Sequence, residues 1–209
     1  MALIPKDWAQ AANRALRPWP AWPIYALGLA WAGWMFWLGL SNQLGPEPIN
    51  TLERDYGLRA LQLLVAGLMV TPLRSLTGVS LLKFRRALGL TAFFYVLAHL
   101  MVWALLDLQS LARIGEEIIK RPYITLGFAA FVLLVPLAVT SNNASIRRLG
   151  AVGWRRLHRL TYPAVLLGGL HYVWLVKGYP AEPFVYLAVV VGLLALRLHW
   201  PRLRVRLAA

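Results

Sequence analysis

The sequence predicts an all-α fold, a polytopic membrane protein whose six transmembrane helices form one bundle. Of the 209 residues, 59% are apolar and only 14% are charged, and the mean hydropathy is +0.58. The charged residues also leave long apolar windows of the length, roughly 20 residues, that an α-helix needs to cross about 30 Å of hydrocarbon. We therefore expect residues 1–209 to form a single transmembrane domain.

Six apolar windows are the expected spans, at about 23–41, 57–73, 84–106, 122–140, 156–176 and 182–199. Residues 1–20 are rich in Trp and Pro and are expected to lie at the interface, ahead of a retained first helix. Residues 42–56 and 107–121 are expected to be loops, the second holding a short interfacial helix, and 141–157 a basic loop. Pro72 is expected to end the second span, and Pro136 to kink the fourth.

The charges predict the orientation. If both termini share a side with loops 74–83 and 141–157, that side holds sixteen of the 22 Lys and Arg residues and only one of the eight acidic residues, Asp7. The positive-inside rule makes this side, and therefore both termini, cytoplasmic. The net charge of +14 is accordingly interpreted as a topology signal and a contact with anionic lipid, and not as a nucleic-acid footprint.

The absence of cysteine restricts the chemistry. It excludes disulfides, thiolate metal ligands, iron–sulfur clusters and a cysteine-attached c-type haem. No glycine-rich nucleotide-binding motif is present either. Any redox cofactor is thus expected to be held by other side chains.

Histidines inside the spans are the candidate functional residues, because ionisable side chains in hydrocarbon are costly and usually functional. His99 lies in the third span and His171 in the fifth, and the two spans run in the same direction. Both histidines are expected at one depth, in the outer half of the membrane, where they could bind a haem iron from opposite sides. The alternative is that each histidine only bonds to a hydroxyl or carbonyl group of a neighbouring helix. Gly168 and Gly169 would let a flat cofactor approach.

The cytoplasmic ends of these helices carry weaker candidates. His158 lies thirteen residues before His171, about 20 Å along a helix, and is either a ligand of a second, inner haem or an ordinary interfacial residue. Its partner on the third span is missing, because Arg85 occupies the position that lies below His99. Arg85 could pair with a haem propionate or a flavin phosphate, or it could be a topology-setting charge. His199 is interpreted as a snorkelling residue.

Six spans, with His99 in the third and His158 and His171 in the fifth, resemble the ferric reductase-like transmembrane superfamily. Within it the chain is most similar to the MsrQ (formerly YedZ) family of haem-binding membrane subunits. The segments that carry the resemblance are SNQLGPEPIN, RRALGLTAFFYVLAHL and SNNASIRRLGAVGWRRLHRLTYPAVLLGGLHY. The lack of a nucleotide-binding domain agrees with it.

The resemblance implies an electron-transfer subunit of the bacterial inner membrane, not itself the catalytic subunit. Its cofactors would be one or two haems b, with FMN in addition. Electrons would come from a quinone pool or a cytoplasmic flavin reductase. They would pass to a periplasmic molybdopterin-containing reductase subunit, MsrP-like, that repairs methionine sulfoxide in proteins. The alternatives are a stand-alone ferric or oxygen reductase, and a non-redox transporter or assembly factor.

Overall fold

The protein is built from helices alone throughout the part of the chain that the structure describes. This computed structural model covers residues 5–178 and 180–208, apart from the side chains of Lys6 and residues 198–208. The all-α prediction is confirmed. The α-helices within these ranges are α1 (Lys6–Leu16), α2 (Trp22–Leu40), α3 (Pro48–Thr77), α4 (Arg85–Met101), α5 (Leu111–Lys120), α6 (Pro122–Val139), α7 (Asn143–Leu157), α8 (Thr161–Leu175) and α9 (Ala181–Ala208).

Three short irregular helices adjoin the long ones. A 3₁₀ turn, Leu82–Phe84, leads into α4, and a π-helical segment, Val102–Leu108, prolongs it. A second 3₁₀ turn, His158–Leu160, joins α7 to α8.

Four continuous helical stretches in the described part are long and apolar enough to cross a membrane: Trp22–Leu40, Pro48–Thr77, Leu82–Leu108 and Pro122–Val139. They contain most of the first four predicted spans and mark the chain as a membrane protein.

The second span differs from its prediction at both ends. Residues 48–56, expected in a loop, form the first turns of α3, with Pro48 at its start, where a missing N–H costs nothing. Glu53 and Asp55, which fall in the expected loop 42–56, are therefore helical, and Asp55 accepts a hydrogen bond from the Trp31 indole.

Pro72 also does not end this helix, which continues to Thr77. A proline inside a helix leaves the carbonyl four residues earlier without its N–H partner. Here that carbonyl belongs to Leu68, and Arg197 Nη2 of α9 donates to it at 2.8 Å. A side chain from another helix thus replaces the lost bond. Pro136, where a kink was expected, likewise lies inside its helix, α6.

The expected basic loop 141–157 is mostly helix α7, interrupted at Gly150, whose φ of +68° breaks the helical path. The predicted fifth span, 156–176, is therefore divided at His158–Leu160 before α8 begins. Pro163 favours the division, because it has no N–H to donate to the carbonyl of residue 159 and is best tolerated in the first turn of a helix. The side chain of His199 lies outside the described residues.

The core lies where five helices meet. α3 packs most extensively on α4, α6 packs on α8, and α9 joins them. Leu68, Ala92, Leu134, Val165 and Val190, one from each of these five helices, are among the buried residues of the main cluster. α2 lies at the edge, with most of its surface exposed to what would be lipid.

Candidate functional site

The structure brings His99 and His171 together, as their predicted common depth requires. Their ring centroids are 6.3 Å apart, and the ring planes are inclined at 75°. His99 lies near the end of α4 and His171 near the end of α8, so two parallel helices present one ring each to the same space. The two rings form the candidate site.

Each ring is held by a backbone carbonyl of a neighbouring helix. His99 Nδ1 lies 2.9 Å from the Glu53 carbonyl oxygen in α3, and His171 Nδ1 lies 2.6 Å from the Tyr123 carbonyl oxygen in α6. A carbonyl only accepts, so Nδ1 must carry the proton in both rings. Nε2 then keeps its lone pair, which is the form of histidine that binds metals.

A glycine lies against each ring in the same position relative to its carbonyl. A Cβ built on Gly57, four residues after Glu53, would lie 3.1 Å from His99 Nδ1. A Cβ built on Gly127, four residues after Tyr123, would lie 2.9 Å from His171 Nδ1. The two helix pairs, α3 with α4 and α6 with α8, therefore repeat one local arrangement around their histidines.

This geometry fits a haem iron with two axial histidines. Because an imidazole nitrogen binds a metal at about 2 Å and lies roughly 1 Å from its own ring centre, two axial imidazoles on one iron have centroids about 6 Å apart. The observed 6.3 Å agrees with that spacing. Histidines that only bond to a neighbouring helix would also form the Nδ1 hydrogen bonds. That role alone does not require two histidines whose rings lie at this distance from each other.

His158 lies in the 3₁₀ turn just before α8, at the end of that helix opposite to His171. Its Nε2 is 3.2 Å from the Thr140 hydroxyl, and its ring stacks on Trp154 with centroids 3.8 Å apart. Trp154 in turn donates from Nε1 to the Thr140 carbonyl at 2.9 Å. The structure thus separates His158 from the His99–His171 pair, as the helical spacing predicts.

Arg85 lies at this same end, near His158, and is part of a group that the sequence did not reveal. It lies beside Tyr162 of α8 and Arg197 of α9. Arg197 donates from Nη1 to the Tyr162 hydroxyl at 2.9 Å, and its buried Nε has no hydrogen-bond partner. The ion pairs found in the described part, Asp55–Arg59, Glu116–Lys120 and Glu117–Arg121, all lie toward the other end of the bundle. The two guanidinium groups therefore give this end a local positive charge.

The sequence predicted the two histidines of the site, but not the glycines that lie beside their rings. Gly168 and Gly169 were expected to admit a cofactor, yet a Cβ on Gly169 would lie 3.2 Å from Leu187 Cδ1, so this residue serves packing against α9. Gly168 has open space beside it, as the expectation requires. Gly57 and Gly127 lie near the starts of the second and fourth predicted spans, each of which precedes a histidine-bearing span, and this was the available signal.

Comparison with known proteins defines the class of this fold and site. Residues 56–169 match the family described as the ferric reductase like transmembrane component. The match includes His99 and His158 and ends two residues before His171. The histidine-bearing helical bundle is thus a ferric reductase-like membrane domain.

Sequence identity to two relatives shows which family within this class the chain resembles. The Brucella anthropi protein-methionine-sulfoxide reductase heme-binding subunit MsrQ is 47% identical over 197 residues, 93% of this chain and 89% of the relative. The Brucella ovis protein of the same name is 48% identical over 189 residues, 90% of this chain and 86% of the relative. The chain therefore belongs to the MsrQ family.

Proposed function

We propose that this protein is a transmembrane electron-transfer subunit that binds a b-type haem between His99 and His171. The observation that carries the proposal is the pair of rings 6.3 Å apart, each with Nδ1 bonded to a carbonyl. The names of the relatives, which describe a heme-binding subunit, support the cofactor. Since the chain contains no cysteine, the haem would be bound without covalent attachment, which is the b type.

The residues around the site would set the properties of the bound group. A bound haem would supply one-electron chemistry through its iron. The carbonyls of Glu53 and Tyr123 accept hydrogen bonds from Nδ1 of His99 and His171, which leaves the lone pair of each Nε2 available to a metal. Such bonds make an imidazole a stronger ligand and fix its orientation. His99 and His171 are both partly buried, which limits the access of water to the site.

A second site is proposed at the other end of the bundle, around His158 and Arg85. His158 is the candidate ligand of a second haem. Arg85, with Arg197 beside it, is the candidate partner of an anionic group, either a haem propionate or the phosphate of FMN. The support is the concentration of guanidinium groups without a neighbouring acidic side chain among the described residues.

The direction of electron flow follows from the proposed topology. We infer six spans in a bacterial inner membrane, the four long helical stretches together with α8 and α9, and both termini in the cytoplasm. His158 would then lie near the cytoplasm and His99 and His171 near the periplasm. Electrons would enter from a quinone pool or a cytoplasmic flavin reductase. They would leave to a periplasmic molybdopterin-containing, MsrP-like subunit that reduces methionine sulfoxide in proteins, so the catalytic site would lie in that partner.

The absorption spectrum and haem content of the purified protein test the proposal. The wild type, produced with ample haem, should show a Soret band that shifts and sharpens on reduction with dithionite. His99→Ala and His171→Ala should each lose the same haem, because either change removes one of two axial ligands. A wild-type protein without a Soret band would refute the function, and alanine variants with full haem content would refute the ligand assignment.

The haem-to-protein ratio, measured as pyridine haemochrome, distinguishes one site from two. His158→Ala should lower the ratio of the wild type by one haem if an inner haem is present. The ratio should then fall without any change in the spectrum of the haem bound by His99 and His171. An unchanged ratio would assign His158 to packing against Trp154.

A further inference from the structure

The two glycines beside the histidines, Gly57 and Gly127, are related by the geometry of an α-helix. In a helix, the carbonyl of residue i points toward the N–H of residue i+4. A ring that bonds to the carbonyl of residue 53 or 123 from outside must therefore lie over residue 57 or 127. Both of these positions are glycine, and they are in different helices, α3 and α6.

The distances show what a side chain at these positions would meet. A Cβ on Gly57 would lie 3.1 Å from Nδ1 and 3.3 Å from Cε1 of His99, which is tighter than ordinary contact. A Cβ on Gly127 would lie 2.9 Å from Nδ1 and 3.0 Å from Cε1 of His171, so something must shift. The atoms that would be displaced are those of the ring, including the nitrogen that donates to the carbonyl.

We propose that Gly57 and Gly127 are positioning residues for the two axial histidines. Each glycine lets an imidazole lie against its neighbouring helix, donate Nδ1–H to the carbonyl one turn earlier and present Nε2 to the iron. This inference rests on the proposed haem between His99 and His171. A methyl group at either position tilts the ring away from the carbonyl and changes both the strength and the direction of the iron–imidazole bond.

Four alanine variants test the inference, two at the proposed positions and two controls. Gly57→Ala and Gly127→Ala are the test variants. Gly67→Ala lies in α3 as well, and Gly89→Ala lies in α4; neither has an atom within 4 Å of the added Cβ. All four changes replace glycine inside a helix and share the same gain in helix propensity, so the controls cancel that effect.

The expected result is a change at the haem that only the test variants produce. Loss of a bond that orients a metal ligand lowers affinity by about ten- to a hundredfold. We expect Gly127→Ala and Gly57→Ala to release haem to a competing apoprotein about tenfold faster than the wild type, with the larger effect at Gly127. Their ferric low-spin electron paramagnetic resonance signals should shift, since that signal depends on the angle between the ring planes, and their midpoint potentials should change. Gly67→Ala and Gly89→Ala should match the wild type.

The failure of this inference can be told apart from the failure of the proposed function. If the wild type holds haem and His99→Ala and His171→Ala lose it, but both test variants match Gly67→Ala in signal, potential and haem release, the glycines have no positioning role. If the wild type holds no haem, the proposed function itself is refuted. Should Gly127→Ala not accumulate in the membrane, Gly57→Ala, where the ring has more room, still decides the question.

Discussion

Arg197 forms hydrogen bonds to residues that are far from it in the sequence. Its Nη2 donates to the Leu68 carbonyl, which Pro72 deprives of a helical partner, and its Nη1 donates to Tyr162. Three helices, α3, α8 and α9, are thereby connected through one guanidinium group. A buried carbonyl left without a donor costs about 1–3 kcal/mol, so this connection stabilises the bundle.

A double-mutant cycle tests this connection at the residue scale. Arg197→Leu should lower the free energy of unfolding by about 1–3 kcal/mol in the wild type. In a Pro72→Ala background the cost should be smaller, because the N–H of an alanine at position 72 can bond to the Leu68 carbonyl. Reversible unfolding in mixed micelles measures both costs, and Tyr162→Phe accounts for the second bond of Arg197. Equal costs in the two backgrounds would show that the carbonyl does not depend on Arg197.

The residues of the candidate site show what a sequence does and does not predict. Helical rise alone placed His99 and His171 at one depth, because it depends only on counting residues along two parallel spans. The partners of the rings were not predictable in this way. Whether Gly57 or a neighbour lies beneath His99 depends on how α3 is rotated against α4, and packing across the whole bundle sets that rotation.

Helix α2 is attached to the bundle by few contacts, and these are specific. The hydroxyl of Tyr56 donates to the Ala32 carbonyl at 2.7 Å, and that of Tyr95 donates to the Gly28 carbonyl at 2.8 Å. The two tyrosines, from α3 and α4, thus bind successive turns of α2. At Gly28 the helices are so close that an added Cβ would lie 2.6 Å from Thr91 Cγ2.

Alanine substitutions at two glycines of α2 test this close contact at the element scale. Gly28→Ala should destabilise the protein by about 1–3 kcal/mol, because the added methyl group must push α2 away from α4. Gly33→Ala is the matched control in the same helix, with no atom within 4 Å of its Cβ, and should be neutral or stabilising by up to about 1 kcal/mol. Thermal unfolding of the purified variants in detergent compares them. Equal behaviour of the two variants would contradict the close contact.

At the element scale, the sequence predicted helices better than helix ends. The apolar windows located α2, α4 and α6 within a few residues, because composition and length decide which segments stay in lipid. The start of α3 was missed because its first turns are polar: Asp55 pairs there with Arg59 and with the Trp31 indole. The helical part of α7 was missed for a similar reason, since a run of arginines resembles a loop by composition.

Within the described residues, the molecule has a basic end and an opposite end where the ion pairs lie. Ala112 in α5 and Ala144 in α7 are exposed near the two ends. The absence of native cysteine means that a single introduced thiol is labelled without background.

Single-cysteine labelling of whole cells tests the proposed orientation. Ala112→Cys should react with a membrane-impermeant maleimide once the periplasm is accessible, whereas Ala144→Cys should react only after the inner membrane is opened. The cysteine-free parent is the control. The reverse pattern would place the basic end outside and overturn the proposed direction of electron flow.

The placement of the two histidine-bearing helices also bears on how the protein is made. α4 is synthesised early, when the Glu53 carbonyl of α3 is already available to His99. α8, and α6 whose Tyr123 carbonyl accepts the hydrogen bond from His171, are synthesised later. A ligand that requires both rings can be captured only when α8 has been synthesised and has packed on α6. Binding of the ligand therefore shows that α8 has been synthesised and packed. A chain halted before α8 would contain His99 and its carbonyl partner but not His171, and could not retain the ligand.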